Sequence, residues 1–127
     1  MALNGDVLST QEWKVNVTDL VRYAWVSGDI NPIHFNQAAA EELGLPGTIV
    51  HGLFAHAKLV AELARVSREQ KLGKLVQTNT KFASMMPAPG TYTLQVSRPG
   101  DAASLVAKVL NGEGALCVEV RASYAPV

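Results

Sequence analysis

The sequence predicts an α+β domain in which one long helix is wrapped by an antiparallel β-sheet, and three observations carry that prediction. At 127 residues and 48% hydrophobic, the chain can build one compact core and is too short for two, so residues 1–127 read as a single domain. A helical apolar pattern begins near Gly52 and runs to about Arg68. After it the hydrophobic period becomes two and stays so almost to the end of the chain.

Taken in order, Trp13, Val15 and Val17 alternate with polar neighbours, the mark of a half-buried strand. Thr18 and Asp19 suit a helix start, Leu20, Val21, Ala24 and Trp25 share one face of that helix, and Gly28 suits its end. Asn36 as N-cap and Gly44 as a terminating glycine bracket a second short helix through Ala38, Ala39, Ala40 and Leu43. In the long helix, Leu53, Phe54, Ala57, Val60, Ala61 and Ala64 make one apolar stripe and Leu59, Leu63 and Val66 another, while charge is confined to a ridge of Lys58, Glu62, Arg65 and Glu69. Such a helix is expected to be buried on most sides. The strands that follow span Leu75 to Ser84, Tyr92 to Arg98, Ala103 to Leu110 and Ala115 to Tyr124, the last with Leu116, Val118, Val120, Ala122 and Tyr124 on one face. Gly112-Glu113-Gly114 supplies a hairpin turn between the final two. A sheet of about five strands leaves an edge unpaired, which predicts a dimer.

Composition narrows the function. Eleven basic residues balance eleven acidic ones for a formal net charge of +0, which argues against nucleic acid and anionic membranes as partners. No apolar run approaches the ~18 residues that span a bilayer, and Met1 to Asp6 has neither a basic nor an apolar signal region, so a soluble, cytoplasmic protein is expected. The single Cys117 can form no internal disulfide and reads as a small buried strand residue.

The most unusual stretch is Tyr23-Ala24-Trp25-Val26-Ser27-Gly28-Asp29-Ile30-Asn31-Pro32-Ile33-His34. A carboxylate, an amide and an imidazole fall within six residues, around backbone that Gly28 and Pro32 constrain. In a rigid turn of this kind Asp29 and His34 could converge on one water and deprotonate it. The same residues also make an ordinary helix C-cap, a turn and one satisfied histidine, and spacing alone leaves both readings open.

The run Tyr23 to His34 resembles the hydratase motif of the MaoC-like (R)-specific enoyl-thioester hydratases and dehydratases: Ser-Gly-Asp, Asn-Pro, an aliphatic residue, His. Ile49-Val50-His51-Gly52-Leu53 resembles the segment entering that family's central helix, and Phe82 to Gly90 its Phe- and Pro-rich strand and turn. Within the last segment Met85 stands where a proline is usual, the loop is one residue longer, and Thr91 replaces a common Asp. The resemblance covers about Val15 to Val96.

It implies a hot-dog fold, in agreement with the periodicity, and a 2-enoyl or (3R)-3-hydroxyacyl substrate carried as a thioester on coenzyme A or acyl carrier protein. It implies that Asp29 and His34 are the catalytic pair, that the Gly52 backbone N–H meets the thioester carbonyl at a helix N-terminus, and that Asn31 holds the loop. Val60 and Leu63 are the expected acyl-chain contacts. No cofactor or metal is implied.

Other chemistries find less support. His51 and His56, five apart on a presumed helix, point to different faces and lack a zinc-binding motif around them. There is no serine-nucleophile elbow and no phosphate-cradling glycine motif. Arg65, Arg68, Lys71 and Lys74 read as a solvated helix end, with contact to coenzyme A phosphates or an acidic carrier protein as the sharper alternative. Two other functions compete with hydration: a hot-dog thioesterase, and an acyl-binding subunit of a heterodimeric dehydratase. A homodimer or a heterodimer with a second hot-dog subunit is expected in either case.

Overall fold

Alternating strands and one long helix require a sheet that closes over the helix, and the computed structural model, which describes residues 6–100 and 102–126, has that form. Strand β1 (Asp6–Val15) leads into helix α1 (Val17–Ser27), a single 3₁₀ turn (Pro32–His34), the short helix α2 (Gln37–Glu42) and the long helix α3 (Gly52–Glu69). Strands β2 (Lys74–Phe82), β3 (Gly90–Arg98), β4 (Ser104–Leu110) and β5 (Leu116–Ala125) follow. All five strands form one antiparallel sheet in the order β1-β3-β4-β5-β2. This is the hot-dog arrangement that the sequence predicts. No helix among the described residues is long and apolar enough to cross a membrane.

The core lies where α3 packs on β3, β4 and β5. Leu59, Leu63 and Val66 of the helix are buried against Val96, Leu105, Val109, Val118 and Val120 of the sheet. The predicted inner face of β5 is correct: Val118, Val120, Ala122 and Tyr124 are all buried. Cys117 is buried beside them. The β4–β5 turn is built as expected, with Gly114 at positive φ and the Asn111 side chain accepting the Glu113 and Ala115 N–H groups.

Two expectations need correction. The first helix begins one residue earlier than Thr18 and Asp19 suggest: Asn16 is its N-cap, Asn16 Oδ1 accepting the Asp19 N–H at 3.0 Å while Asp19 Oδ2 accepts the Asn16 N–H at 2.9 Å. That reciprocal capping box satisfies two donors at once and pulls Val17 out of the strand alternation into the helix. The long helix is also not buried on most sides. Its Leu59 and Leu63 stripe faces the sheet, but Leu53 is 66% exposed and Ala57, Ala61 and Ala64 are exposed with it. A five-stranded sheet covers one side of a helix, so Phe54 and Val60 of the second stripe are half-buried while Leu53, Ala57, Ala61 and Ala64 are left uncovered.

Strand β2 is left over in the same way. Among the described residues it is hydrogen-bonded only to β5, every residue in it except Thr80 is exposed, and Leu75, Val76 and Phe82 are among the large apolar groups facing solvent.

Candidate active site

The end of α1 sets the site's geometry. Gly28 takes φ 80, a left-handed conformation that glycine reaches at little cost, and donates its N–H to Ala24 O at 2.9 Å to close the helix. The chain then makes two consecutive side-chain-to-backbone turns. Asp29 Oδ1 accepts the Asn31 N–H at 3.3 Å, and Asn31 Oδ1 accepts the Ile33 N–H at 3.3 Å, capping the 3₁₀ turn with Pro32 at its start. Asn31 is thereby tied into the backbone of the turn on both sides.

His34 closes that turn with its side chain only 9% exposed. Its Nδ1 lies 2.8 Å from the Ile49 carbonyl oxygen, which can only accept, so Nδ1 carries the hydrogen and the neutral ring presents a free lone pair at Nε2. Asp29 Oδ2 lies 3.8 Å from that Nε2, beyond a direct hydrogen bond, on a carboxylate that is half exposed. The two groups face one another across a gap that one water can bridge.

His51 completes the cluster, and sequence spacing did not find it. It is not on α3 but caps it, so the comparison with His56 across helix faces does not apply. Its ring is 1% exposed and stacks on His34 with centroids 3.7 Å apart and planes 19° from parallel. His51 Nε2–H donates to the Asp29 carbonyl oxygen at 3.2 Å, and Nδ1 is buried with no partner among the described residues. Burial first, and the neighbouring His34 second, push the His51 pKa below its ordinary value, against the weaker pull of the Asp29 carbonyl and carboxylate. Tyr23 packs on the His51 ring at 4.7 Å and stacks on Phe54, which meets Trp13 edge-on. Only its place in the segment entering the central helix could have singled out His51.

Asp29, His34 and His51 place potential ligand atoms within 4.8 Å of one another. They fit a metal poorly. The stacked rings hold their lone pairs in nearly parallel planes 3.7 Å apart, which disfavours convergence on one ion, and His51 Nε2 holds the hydrogen it gives to Asp29.

Gly52 is the first residue of α3, so its N–H is among the first-turn donors that no helical carbonyl can reach. It lines, with His34, Phe82, Met85, Met86 and Val118, a cavity of about 410 Å³. A Cβ on Gly52 would sit 3.2 Å from the Phe82 ring. The wall beyond is held in place by backbone: Val50 N–H donates to Met86 O at 2.8 Å and Ala88 N–H to Thr48 O at 2.9 Å. The Tyr92 hydroxyl donates to the Pro87 carbonyl, and burial raises its pKa to about 12, which keeps it a neutral donor. Met85, where the sequence departs from the family pattern, is 58% exposed at the cavity wall.

Val60 and Leu63 are not brought to His34. They line a separate cavity of about 290 Å³ with Leu75, Thr78 and Tyr124, further along α3. Arg65 is engaged by Glu62 at 2.9 Å, Glu69 at 3.3 Å and Ser9 at 2.7 Å. Arg68, Lys71 and Lys74 are exposed, and Arg68 lies about 24 Å of helix rise from Gly52, which suits a solvated helix end.

Among known proteins, 84 residues of the chain are 34% identical to the 3-hydroxyacyl-thioester dehydratase X of Mycobacterium tuberculosis, a match to 66% of this chain and 28% of that protein. The chain spans less than a third of the curated relatives it matches. The fold superimposes on the unliganded R-hydratase PhaJ1 of Pseudomonas aeruginosa with a TM-score of 0.78 at 22% identity, covering 96% of this chain and 81% of that one. It also superimposes on a chain of the HadBC (3R)-hydroxyacyl-ACP dehydratase complex of Mycobacterium tuberculosis, with a TM-score of 0.71 at 16% identity over 95% and 96% of the two chains. These likenesses to solved structures establish the fold, and the family rests on a sequence match: residues 2–116 fit the model of the MaoC like domain, so the chain belongs to the MaoC-like dehydratase domain family.

Proposed function

We propose that this chain catalyses the (R)-specific hydration of 2-enoyl thioesters and the reverse dehydration of (3R)-3-hydroxyacyl thioesters, carried on coenzyme A or acyl carrier protein, in cytoplasmic fatty-acid metabolism. One observation carries the reading: the lone pair of His34 Nε2 faces the Asp29 carboxylate at 3.8 Å, beside the cavity into which Gly52 opens.

In the forward direction Asp29 and His34 hold a water between them and remove one of its protons as its oxygen bonds to C3. The electrons of the C2–C3 double bond move toward the thioester carbonyl. The Gly52 N–H, at the positive end of the α3 dipole, stabilises the oxyanion that develops there. A proton then returns from the pair to C2, so water has added across the double bond and the two side chains end in their starting states. This chemistry needs no metal, nicotinamide or flavin. The names of the dehydratase X and R-hydratase relatives support the same reaction class. A thioesterase would instead direct the activated water at the carbonyl carbon.

Assembly is part of the proposal. The free β2 edge and the uncovered stripe of Leu53, Ala57, Ala61 and Ala64 on α3 suit pairing with a second hot-dog subunit, identical or not. Incubating the purified chain with crotonyl-CoA and following loss of enoyl absorbance, with chiral analysis of the product, tests the reaction. Formation of (3R)-3-hydroxybutyryl-CoA is expected, and release of free thiol without hydration would replace the hydratase reading by the thioesterase one.

A further inference from the structure

The two cavities stand in file along the same pair of elements. The one beside His34 takes Gly52 from α3 and Phe82 from β2; the one beyond takes Val60 and Leu63 from α3 and Thr78 and Leu75 from β2. Counting up the helix therefore matches counting down the strand. His56 and Thr80 fall between the two sets on both elements, and they touch, with His56 Nδ1 and Thr80 Oγ1 3.1 Å apart.

The spacing makes this an obstruction in one groove. Gly52, His56, Val60 and Leu63 recur at helical intervals of four, four and three, so they share a face of α3. Phe82, Thr80 and Thr78 are two apart and share a face of β2. His56 lies about 6 Å of helix rise beyond Gly52, and Val60 about 12 Å. A chain of methylenes leaving the first cavity for the second must pass the imidazole and hydroxyl. Doing so parts a partly buried hydrogen bond and leaves both polar groups against hydrocarbon, an unfavourable exchange in energy as well as in space.

We propose that the His56–Thr80 pair is a bar on acyl-chain length, closing the groove between the cavity beside Asp29 and His34 and the apolar cavity lined by Val60 and Leu63. The inference rests on the hydratase reading for its substrate class and adds a specificity determinant to it. In the native protein the bar favours short 2-enoyl thioesters, and the second cavity is reached only when the bar is removed.

The test compares kcat/KM for 2-dodecenoyl-CoA and crotonyl-CoA in the wild type, His56→Ala and Thr80→Val, and measures dodecanoyl-CoA binding by calorimetry. The saturated thioester cannot be hydrated, so its binding reports on the groove alone. Each methylene admitted to an apolar cavity adds about fourfold, so His56→Ala is expected to raise the long-to-short ratio at least about tenfold and to tighten dodecanoyl-CoA. Thr80→Val frees the imidazole without removing its bulk, and a smaller rise in the same direction is expected. Adding Val60→Trp, which fills the second cavity, to His56→Ala should cancel the gain.

A ratio and an affinity that stay within about twofold of wild type in folded His56→Ala and Thr80→Val proteins would overturn the bar while leaving hydration of crotonyl-CoA intact. A wild type that already prefers 2-dodecenoyl-CoA would overturn it too. If no 2-enoyl thioester is hydrated, the hydratase reading fails, and the bar then stands or falls on whether His56→Ala tightens dodecanoyl-CoA.

Discussion

Replacing Asp29 by asparagine separates the proposed catalytic role of this residue from its part in the turn, because its two oxygens face different groups. Oδ1 accepts the Asn31 N–H, a contact the asparagine oxygen can keep; Oδ2 faces His34 Nε2, where the substitution puts an amide NH₂. The side chain is half exposed and its pairing with His34 is not a direct hydrogen bond, so the fold should lose no more than about 0.5 kcal/mol. An amide cannot take a proton from water. General acid–base contributions of about 10²- to 10⁴-fold correspond to roughly 3–5.5 kcal/mol of barrier, and kcat/KM on crotonyl-CoA is expected to fall by that range. His34→Ala should fall as far, but it also removes a buried ring stacked on His51 and bonded to Ile49, so its unfolding midpoint should drop where that of Asp29→Asn does not. With both side chains acting on one water, as proposed, the double variant should be scarcely slower than the worse single one. The assays are enoyl absorbance for rate and thermal unfolding for the fold. An Asp29→Asn protein that unfolds like wild type and keeps kcat/KM within about tenfold would refute the mechanism and leave Asp29 as a turn residue.

Three other outcomes follow from named contacts. Asn16→Ala removes one half of the capping box of α1 and should cost about 1 kcal/mol, lowering the melting temperature by about 4 °C, with little change in rate. His51 is held below its ordinary pKa of 6.5 in the fold, so between that value and its lower folded pKa the unfolded chain binds more protons; stability should decline as pH falls through 6.5, more steeply in the wild type than in His51→Gln. Sedimentation at micromolar concentration should show a dimer, and Ala61→Glu, which sets a charge in the exposed apolar stripe near the middle of α3, should weaken it at least about tenfold; a wild-type monomer would contradict the proposed assembly.

What the sequence made legible is what neighbouring residues encode. The faces of β5 and the extent of α3 follow from periodicity because the sheet buries every second residue and the helix every third or fourth. Asp29, Asn31 and His34 were found because Gly28 and Pro32 shape their turn within the same short segment. Asn16 was hidden by its own surroundings: Val17 extends the alternation of Trp13 and Val15, and only the reciprocal bonds with Asp19 show that the helix takes it. The apolar pattern of α3 likewise names two stripes without saying which the chain's own sheet covers, and Leu53, Ala57, Ala61 and Ala64 of one of them stay exposed.

The site's remaining parts come from distant segments, and these have no periodic signature. His51 reaches His34 because Ile49 N–H bonds to Ile33 O and Val50 pairs with Met86, contacts that fold the start of α3 back over the turn. His56 meets Thr80 across 24 residues of sequence, through the packing of a helix on an edge strand. A reading of local order can therefore reach the Asp29–His34 pair, whose geometry is set by one turn. It cannot tell whether Val60 and Leu63 adjoin that pair, since the answer depends on how two distant elements pack. On the proposed mechanism the chemistry would lie in a single short segment, while the choice of acyl chain would fall to the contact between α3 and β2, where His56 and Thr80 stand between the two cavities.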